Sequence, residues 1–347
     1  MNKKLIFAAS FLFLGGTILA QENLAYTNQS GAGTNSSTVD QTGYSNYSDV
    51  DQVNTTSQTD PNESDVDQIG DNNDARTWQY GAGDNYSSTY QNGDMNDADL
   101  QQLGAGNWSE VSQSGGDDNN AYTHQNGMMN TSTTDQTGSD NYSHTDQYFY
   151  YPGYSSSSLN YTNKADYNEA STEQIGDDNW SATTQRGDYN SSDVYQDGDD
   201  HTSYVNSYGD DNTVEVAQYA GNNNYSDVDQ DGDENEAYID QCGTNNKSWA
   251  DQYGDQNDID VLQYGVGHWS DIDQIGDLNT SDVDQKGGNY NISDILQDGD
   301  MNTAITYQKG SSNESYVEQY NNSNGAYTTQ IGSGNYSSIF QSASIAN

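Results

Sequence analysis

The sequence predicts an all-β protein, a parallel two-sheet β-solenoid of about fourteen strand-turn-strand-turn coils with inward ladders of Gln and Asn. The first observation is a Gln that recurs along the chain, mostly at spacings of eleven or twelve residues. The second is a Gly and an Asn at constant offsets behind that Gln, and the third is an alternation of period two in the residues before it. A polar unit of this length can bury a face only by stacking on copies of itself, so the repeat predicts a solenoid.

Composition restricts the class of protein. A net charge of -46 with 30% hydrophobic residues would alone favour a disordered chain. The regular repeat argues for order, because a disordered polyelectrolyte needs no Gln at fixed intervals. The 8 basic against 54 acidic residues argue against nucleic acid or an anionic membrane surface as partner, and favour cations and further copies of the chain. The single cysteine, Cys242, excludes an internal disulfide and leaves a free thiol or a link between chains.

The chain begins with the features of a secretory signal peptide, which we place at residues 1–20. Lys3 and Lys4 precede a short apolar run, and small residues end at Ala20. Residues 21–347 then form a single exported repeat solenoid. The apolar run is short for a spanning helix and no other stretch is as apolar, so we expect no membrane span.

Each unit contributes one strand, as residues 46–52 illustrate. The alternation puts Ser48, Val50 and Gln52 on the inward face and leaves the residues between them outward. Inward positions are small, then β-branched or apolar, then Gln, so buried amides stack and satisfy one another. We assign the structural and polymerisation ladders to Gln41, Gln52, Gln79, Gln102, Gln113, Gln241, Gln252, Gln263, Gln274, Gln285, Gln330 and Gln341, with Asn107 and Asn335.

A tight turn follows each Gln. A chain that reverses within about four residues is expected to need a positive φ, which a Gly two residues past the Gln adopts without strain. The Asn that follows can bond its own local backbone. The turn glycines that we assign are Gly81, Gly104, Gly232, Gly276 and Gly332.

Two spacings are wider than the rest, and they predict small insertions near residues 54–61 and 148–156. The second gap also has room for a degenerate unit that ends at Asn163. With that unit counted, both gaps carry the same five-residue insertion.

The repeat resembles the curlin-associated repeat of bacterial curli, whose core reads Gln-x-Gly-x-Gly-Asn-x-Ala-x-x-x-Gln. Two stretches match it with Ser in place of Ala, namely Gln102, Gly104, Gly106, Asn107, Ser109 and Gln113, and Gln330, Gly332, Gly334, Asn335, Ser337 and Gln341. The resemblance covers nearly all of the chain after the signal peptide. One departure recurs, because the second Gly is often replaced in a Gly-Asp-x-Asn pattern, as at residues 176–179 and 299–302.

The resemblance implies a secreted structural subunit that passes through the periplasm to the cell surface. There it would polymerise with its own copies into an amyloid, pilus-like or fimbria-like fibril that mediates cell adhesion and biofilm matrix formation. The resemblance also implies two partners, an outer-membrane secretion channel and a nucleator subunit.

An acidic column is a candidate cation site. If outward residues stack in register, Asp229, Asp251 and Asp273 form a row of carboxylates about 4.8 Å apart. Like charges directly opposed are destabilising, and calcium binds carboxylate oxygen, so calcium is the one cofactor that the sequence raises. The alternative is a solvated acidic face, because no loop matches a known calcium motif.

An interrupted aromatic stripe is a candidate lateral contact. On one sheet we expect the first outward position to hold Trp108, Trp180 and Trp269 among other residues. Such a stripe can bind a carbohydrate or join two fibres side by side, and the alternative is ordinary β-favouring surface.

Other functions receive less support. The four histidines are scattered, and two of them, His201 and His268, occupy the Asn slot of the turn, so we expect no catalytic residues and no enzyme. Ice binding would need regular Thr-x-Thr rows, which the mixed outward positions do not supply. The main alternative to a fibre subunit is a monomeric acidic β-solenoid that acts as a surface adhesin or calcium-binding scaffold. A monomer needs capped ends, whereas the final unit, Asn335–Gln341, is as regular as an internal one.

Overall fold

The structure is a computed structural model that describes residues 5–7, 23–31, 34–55, 61–148 and 165–342. It is all-β, as predicted, and it divides into a first unit, Met1–Asp177, and a second unit, Asp178–Asn347. The predicted insertions fall mainly on residues 56–60 and 149–164, which lie outside the described residues.

The strands of the first unit are short and evenly spaced. They are β1 (Leu5–Phe7), β2 (Leu24–Gly31), β3 (Asn35–Thr42), β4 (Tyr47–Asn54), β5 (Asn62–Ile69), β6 (Asp74–Gly83), β7 (Tyr86–Asn92), β8 (Asp97–Ala105), β9 (Trp108–Ser114), β10 (Asn120–Met128), β11 (Thr131–Thr137), β12 (Tyr142–Gln147), β13 (Ala165–Asp166) and β14 (Glu169–Ile175).

The second unit continues the same pattern. Its strands are β15 (Trp180–Arg186), β16 (Ser191–Asp199), β17 (Thr202–Tyr208), β18 (Thr213–Asn222), β19 (Tyr225–Asp231), β20 (Glu236–Thr244), β21 (Lys247–Tyr253), β22 (Asp258–Val266), β23 (Trp269–Ile275), β24 (Thr280–Asn289), β25 (Ile292–Asp298), β26 (Thr303–Lys309), β27 (Glu314–Tyr320), β28 (Gly325–Ile331) and β29 (Tyr336–Ser342).

Successive strands alternate between two parallel sheets in each unit. In the first unit one sheet has the order β2-β4-β6-β8-β10-β12 and the other has β3-β5-β7-β9-β11-β14. In the second unit one sheet has the order β15-β17-β19-β21-β23-β25-β27-β29 and the other has β16-β18-β20-β22-β24-β26-β28. The predicted parallel two-sheet β-solenoid is therefore confirmed, and equivalent residues of neighbouring coils lie opposite each other, as Gln230 does with Gln252.

Two short strands depart from this order. Strand β1 pairs antiparallel with β2, and it lies within the predicted signal peptide. Strand β13 pairs with the last residues of β10, Gly127 and Met128, which follow the part of β10 that pairs with β12. Strand β11 pairs directly with β14, so no strand lies between them in that sheet. The prediction of a degenerate unit that ends at Asn163 and forms a strand of the solenoid is therefore wrong. Asn163 itself lies outside the described residues.

The two units differ in the middle inward position. In the second unit Val, Ile and Ala stack into one continuous buried cluster, which includes Val228, Ile239 and Ile272. In the first unit the apolar residues form two smaller clusters, because Thr123 and Thr134 take equivalent positions. Since buried apolar area stabilises a fold at about 25 cal/mol per Å², we expect the second unit to be the more stable.

Candidate functional site

The predicted Gln residues form hydrogen-bonded ladders inside each unit. In the first unit the Nε2 of Gln52 donates to Oε1 of Gln79 at 2.8 Å, and Gln79 donates in the same way to Gln102 at 2.8 Å. In the second unit Gln241 donates to Gln263 at 2.9 Å. These five side chains have no exposed surface. The remaining predicted members take equivalent positions: Gln41, Gln113, Gln252, Gln274, Gln285, Gln330 and Gln341.

The same amides join the two sheets. The Nε2 of Gln102 on β8 also donates to the backbone carbonyl oxygen of Tyr86 on β7 at 2.8 Å, and Gln263 on β22 donates to that of Lys247 on β21 at 3.0 Å. Each ladder amide can therefore use both of its hydrogens and its oxygen. A core of amides is stable here because its donors and acceptors are satisfied.

The ladders have a direction. Their Gln-to-Gln bonds run from Nε2 of one coil to Oε1 of the coil that follows in sequence. At β29, Gln341 accepts a bond from Gln319 at 2.8 Å and donates to the carbonyl of Gly325, and within the described residues its second amide hydrogen has no partner. At β2, Gln29 donates to Gln52, and its Oε1 accepts no bond from a described residue. The first strand pair of the first unit and the last coil of the second unit thus present complementary groups.

The turn asparagines form a second type of ladder. The backbone N–H of Asn107 donates to Oδ1 of Asn85 at 3.2 Å, and its Nδ2 donates to the carbonyl of Gly127 at 3.1 Å. Asn335 donates to Oδ1 of Asn313 in the same way. Each Asn therefore links neighbouring coils, in addition to the local backbone bond that the sequence predicts.

The two histidines in the Asn slot maintain this contact. Nδ1 of His201 accepts the N–H of Asn224 at 3.2 Å, and Nδ1 of His268 accepts that of Asn291 at 3.2 Å. Burial lowers the pKa of both imidazoles, which favours the neutral form that can accept a bond. Their role is structural, as the sequence indicates.

Four of the five assigned turn glycines have positive φ angles: Gly104, Gly232, Gly276 and Gly332, at 127°, 139°, 110° and 110°. The expectation is wrong for Gly81, which has no positive φ. A Cβ at Gly81 would lie only 1.7 Å from the carbonyl oxygen of Gly104. The close approach of the next coil, rather than the φ angle, requires glycine there.

Most of the described turns also contain a left-handed residue that sequence reasoning missed. The residue directly before the Asn has a φ of 68° at Gly106, 58° at Asp178 and 61° at Leu278. In the curlin-like pattern this is the second Gly. The signal was present in the sequence, because replacement of that Gly is the recurrent departure, but its backbone conformation was not inferred.

The Asp of the Gly-Asp-x-Asn turns was missed as well. The backbone N–H of Asp210 donates to Oδ1 of Asp233 at 2.8 Å, and the N–H of Asp233 donates to Oδ1 of Asp255 at 2.9 Å. These carboxylates satisfy turn donors of the preceding coil. The Asp is thus a third connection between coils.

The acidic column has the predicted register. Asp229, Asp251 and Asp273 lie opposite one another on β19, β21 and β23. Burial, and then the neighbouring carboxylates Asp229 and Asp273, raise the pKa of Asp251 to about 7. Among the residues that the structure describes, no group of three His, Cys, Asp or Glu side chains is arranged to hold a metal ion, so calcium stays a prediction.

The three tryptophans do not form one stripe. Trp108 is 45% exposed and stacks on Tyr86 in the first unit, with ring centroids 4.2 Å apart. Trp180 and Trp269 lie in the second unit on β15 and β23, and three strands separate them in that sheet. The aromatic neighbour of Trp269 is Trp249 at 5.9 Å. We therefore correct the single stripe to separate local aromatic groups.

Cys242 has a free, partly buried thiol. Burial and then Asp240 raise its pKa, so the reactive thiolate is disfavoured. Tyr219 and Tyr264, on the strands to either side, both donate a hydrogen bond to Asp240, at 3.1 and 2.7 Å.

A family model described as the curlin associated repeat matches residues 166–198, 190–219, 221–254 and 254–287. The chain carries curlin-associated repeats. No curated protein is similar in sequence to it. Curlin-associated repeats indicate a curli-related structural protein, and within the described residues no helix has the length and apolarity to cross a membrane.

Proposed function

We propose that the protein is the structural subunit of an extracellular curli-like amyloid fibre, in which copies stack end to end and extend the ladders. The observation that carries the proposal is the direction of the amide ladder. Within the described residues, Gln341 in the second unit leaves a donor and Gln29 in the first unit leaves an acceptor. A second copy placed head to tail would join these groups, which is a heterologous contact that repeats without closure.

The last coil supports the same proposal. Ile339 on β29 is only partly buried, whereas Ile295 and Val317 of the preceding coils in that sheet are each 1% exposed. A further strand on β29 would bury Ile339, and an unpaired strand edge is a template for such addition. The adjacent Phe340 points outward and is 64% exposed.

At the first coil, the predicted processing favours assembly. Strand β1 lies against β2, and removal of residues 1–20 would remove it. The edge of β2 would then be free to pair in parallel with another chain. Removal of the signal peptide during export would therefore precede assembly.

Seeded growth of the chain from Gln21 onward tests the proposal. We expect long fibres in electron microscopy and thioflavin-positive growth. Ile339→Lys should stop elongation, because it places a charge on the face that the next copy buries. Phe340→Lys is the matched control, one residue away and outward, and should still elongate. A wild-type chain that stays monomeric would instead favour the alternative of a monomeric acidic adhesin or scaffold.

The further parts of the proposal follow from the family likeness. We propose that the fibre serves cell adhesion and biofilm matrix formation and has no enzymatic activity. We also propose that the chain passes through the periplasm to an outer-membrane secretion channel, and that a nucleator subunit starts its polymerisation. Deletion of the gene should reduce biofilm and surface fibres together.

A further inference from the structure

Nine outward side chains form a three-by-three grid on one sheet of the first unit. The register aligns three strands, β8, β10 and β12. The rows of the grid are Asp97, Asn120 and Tyr142; Asp99, Tyr122 and His144; and Gln101, His124 and Asp146. No aliphatic side chain is among them, and the fold does not require these residues, because the outward positions are free of the repeat pattern.

A groove of about 300 Å³ opens on this grid. Its lining consists of Asp99, Gln101, Tyr122, Thr123, His124, Tyr142 and His144. That volume is at the lower end of the range for small-ligand sites, so a monosaccharide-sized ligand or a short stretch of chain would fit.

Two tyrosines supply the apolar part of the groove. The ring centroids of Tyr122 and Tyr142 lie 5.7 Å apart with the planes inclined at 44°. The Tyr122 hydroxyl donates to Oδ2 of Asp97 at 3.4 Å, which orients the ring. Aromatic faces with a polar tip suit a ligand that has both an apolar and a hydroxylated surface.

A carboxylate between two imidazoles orders the polar part. Asp146 lies 3.5 Å from Nδ1 of His124 and 3.3 Å from Nε2 of His144, and the Tyr142 hydroxyl lies 3.3 Å from the other nitrogen of His144. The two imidazoles remain 39% and 41% exposed. They are therefore held in place yet accessible to a ligand.

We propose that this groove binds a neutral saccharide. A sugar presents C–H faces that pack on tyrosine rings, and hydroxyls that both donate and accept. The groove offers acceptors on Asp99, a mixed donor and acceptor on Gln101, and the Nε2 of His124, while the His144 ring, held by Asp146 and Tyr142, forms part of its wall. The carboxylates around it, in a chain of net charge -46, would repel a uronic or sulfated polymer.

Two other ligands fit less well. A metal ion at the His and Asp side chains is disfavoured, because the described residues contain no group of three such ligands arranged to hold one. A nucleotide would bring phosphate charge to an acidic surface. The proposal is independent of fibre formation, since all nine side chains belong to one unit of one chain.

Calorimetric titration of the chain from Gln21 onward tests the proposal, with cellohexaose, laminarihexaose and mannohexaose as neutral probes and polygalacturonate as the anionic probe. We expect a dissociation constant below about 1 mM for at least one neutral probe. Tyr122→Thr and His144→Thr should each weaken that binding at least tenfold. Tyr204→Thr, at the second outward position of β17 in the second unit, is the matched control and should bind as the wild type does.

Three results would overturn the proposal: no heat with any neutral probe, binding of polygalacturonate alone, or equal loss in Tyr204→Thr and Tyr122→Thr. Circular dichroism of each variant checks folding. Outward Thr is a favoured strand residue, so we expect the variants to fold. If Tyr122→Thr did not fold, His144→Thr would decide the question by the same tenfold criterion.

Discussion

Replacement of one ladder glutamine should destabilise the solenoid far more than replacement of its sequence neighbour. Gln102 is fully buried, donates to Gln125 at 3.0 Å and to the carbonyl of Tyr86 at 2.8 Å, and accepts from Gln79 at 2.8 Å. Gln102→Ala removes these three bonds and leaves their partners inside the core. Gln101 is the adjacent residue on the same strand and points outward, so Gln101→Ala is a matched control.

The expected magnitude follows from the orphaned groups. A buried polar group left without a partner costs about 1–3 kcal/mol, so Gln102→Ala should lower the free energy of unfolding by roughly 3 kcal/mol or more. The outward Gln101→Ala should change it by about 0.5 kcal/mol or less. The difference depends only on which face of the strand the side chain occupies.

Guanidinium unfolding followed by circular dichroism measures this difference. Stacked coils can unfold regionally, so amide hydrogen exchange supplies the local measurement. We expect faster exchange in β6, β8 and β10 for Gln102→Ala and not for Gln101→Ala. Equal effects of the two substitutions, or none from Gln102→Ala, would refute the ladder as a source of stability.

Three further predictions concern the turns and the acidic column. Leu278→Gly should raise the free energy of unfolding by about 0.5–1 kcal/mol, because relief of about 1–2 kcal/mol of left-handed strain exceeds the added entropy of the unfolded chain; a lower denaturation midpoint would contradict this. The folded-state pKa of Asp251 lies above its unfolded value. Its contribution to the free energy of unfolding is therefore fully present below about pH 4 and is lost as the pH rises through about 7. Asp251→Asn should therefore raise the thermal midpoint at about pH 7.5 and not at about pH 4, and equal shifts at both would count against the column. If Asp229, Asp251 and Asp273 bind calcium, titration should release heat that the triple Asn variant lacks, and an identical trace would exclude the site.

The sequence alone determined the strands, the inward face and the ladder residues. The period of two inside each unit decides which side chains point inward, and this is local information. Gln102 and Gln263 could be assigned because a buried amide in a repeated unit has its own copies as partners. The same reasoning placed Asp229 beside Asp251, since equal spacing of units implies register.

Only the tertiary structure decided what depends on a neighbouring coil. The need for glycine at position 81 comes from a carbonyl of the next coil, and the role of Asp233 comes from an N–H of the preceding one. The direct pairing of β11 with β14 shows that the predicted strand ending at Asn163 does not lie between them. The three tryptophans, predicted to form one stripe, belong to separate local groups. Such contacts follow from which coils are adjacent, and insertions of irregular length hide that adjacency from a local pattern.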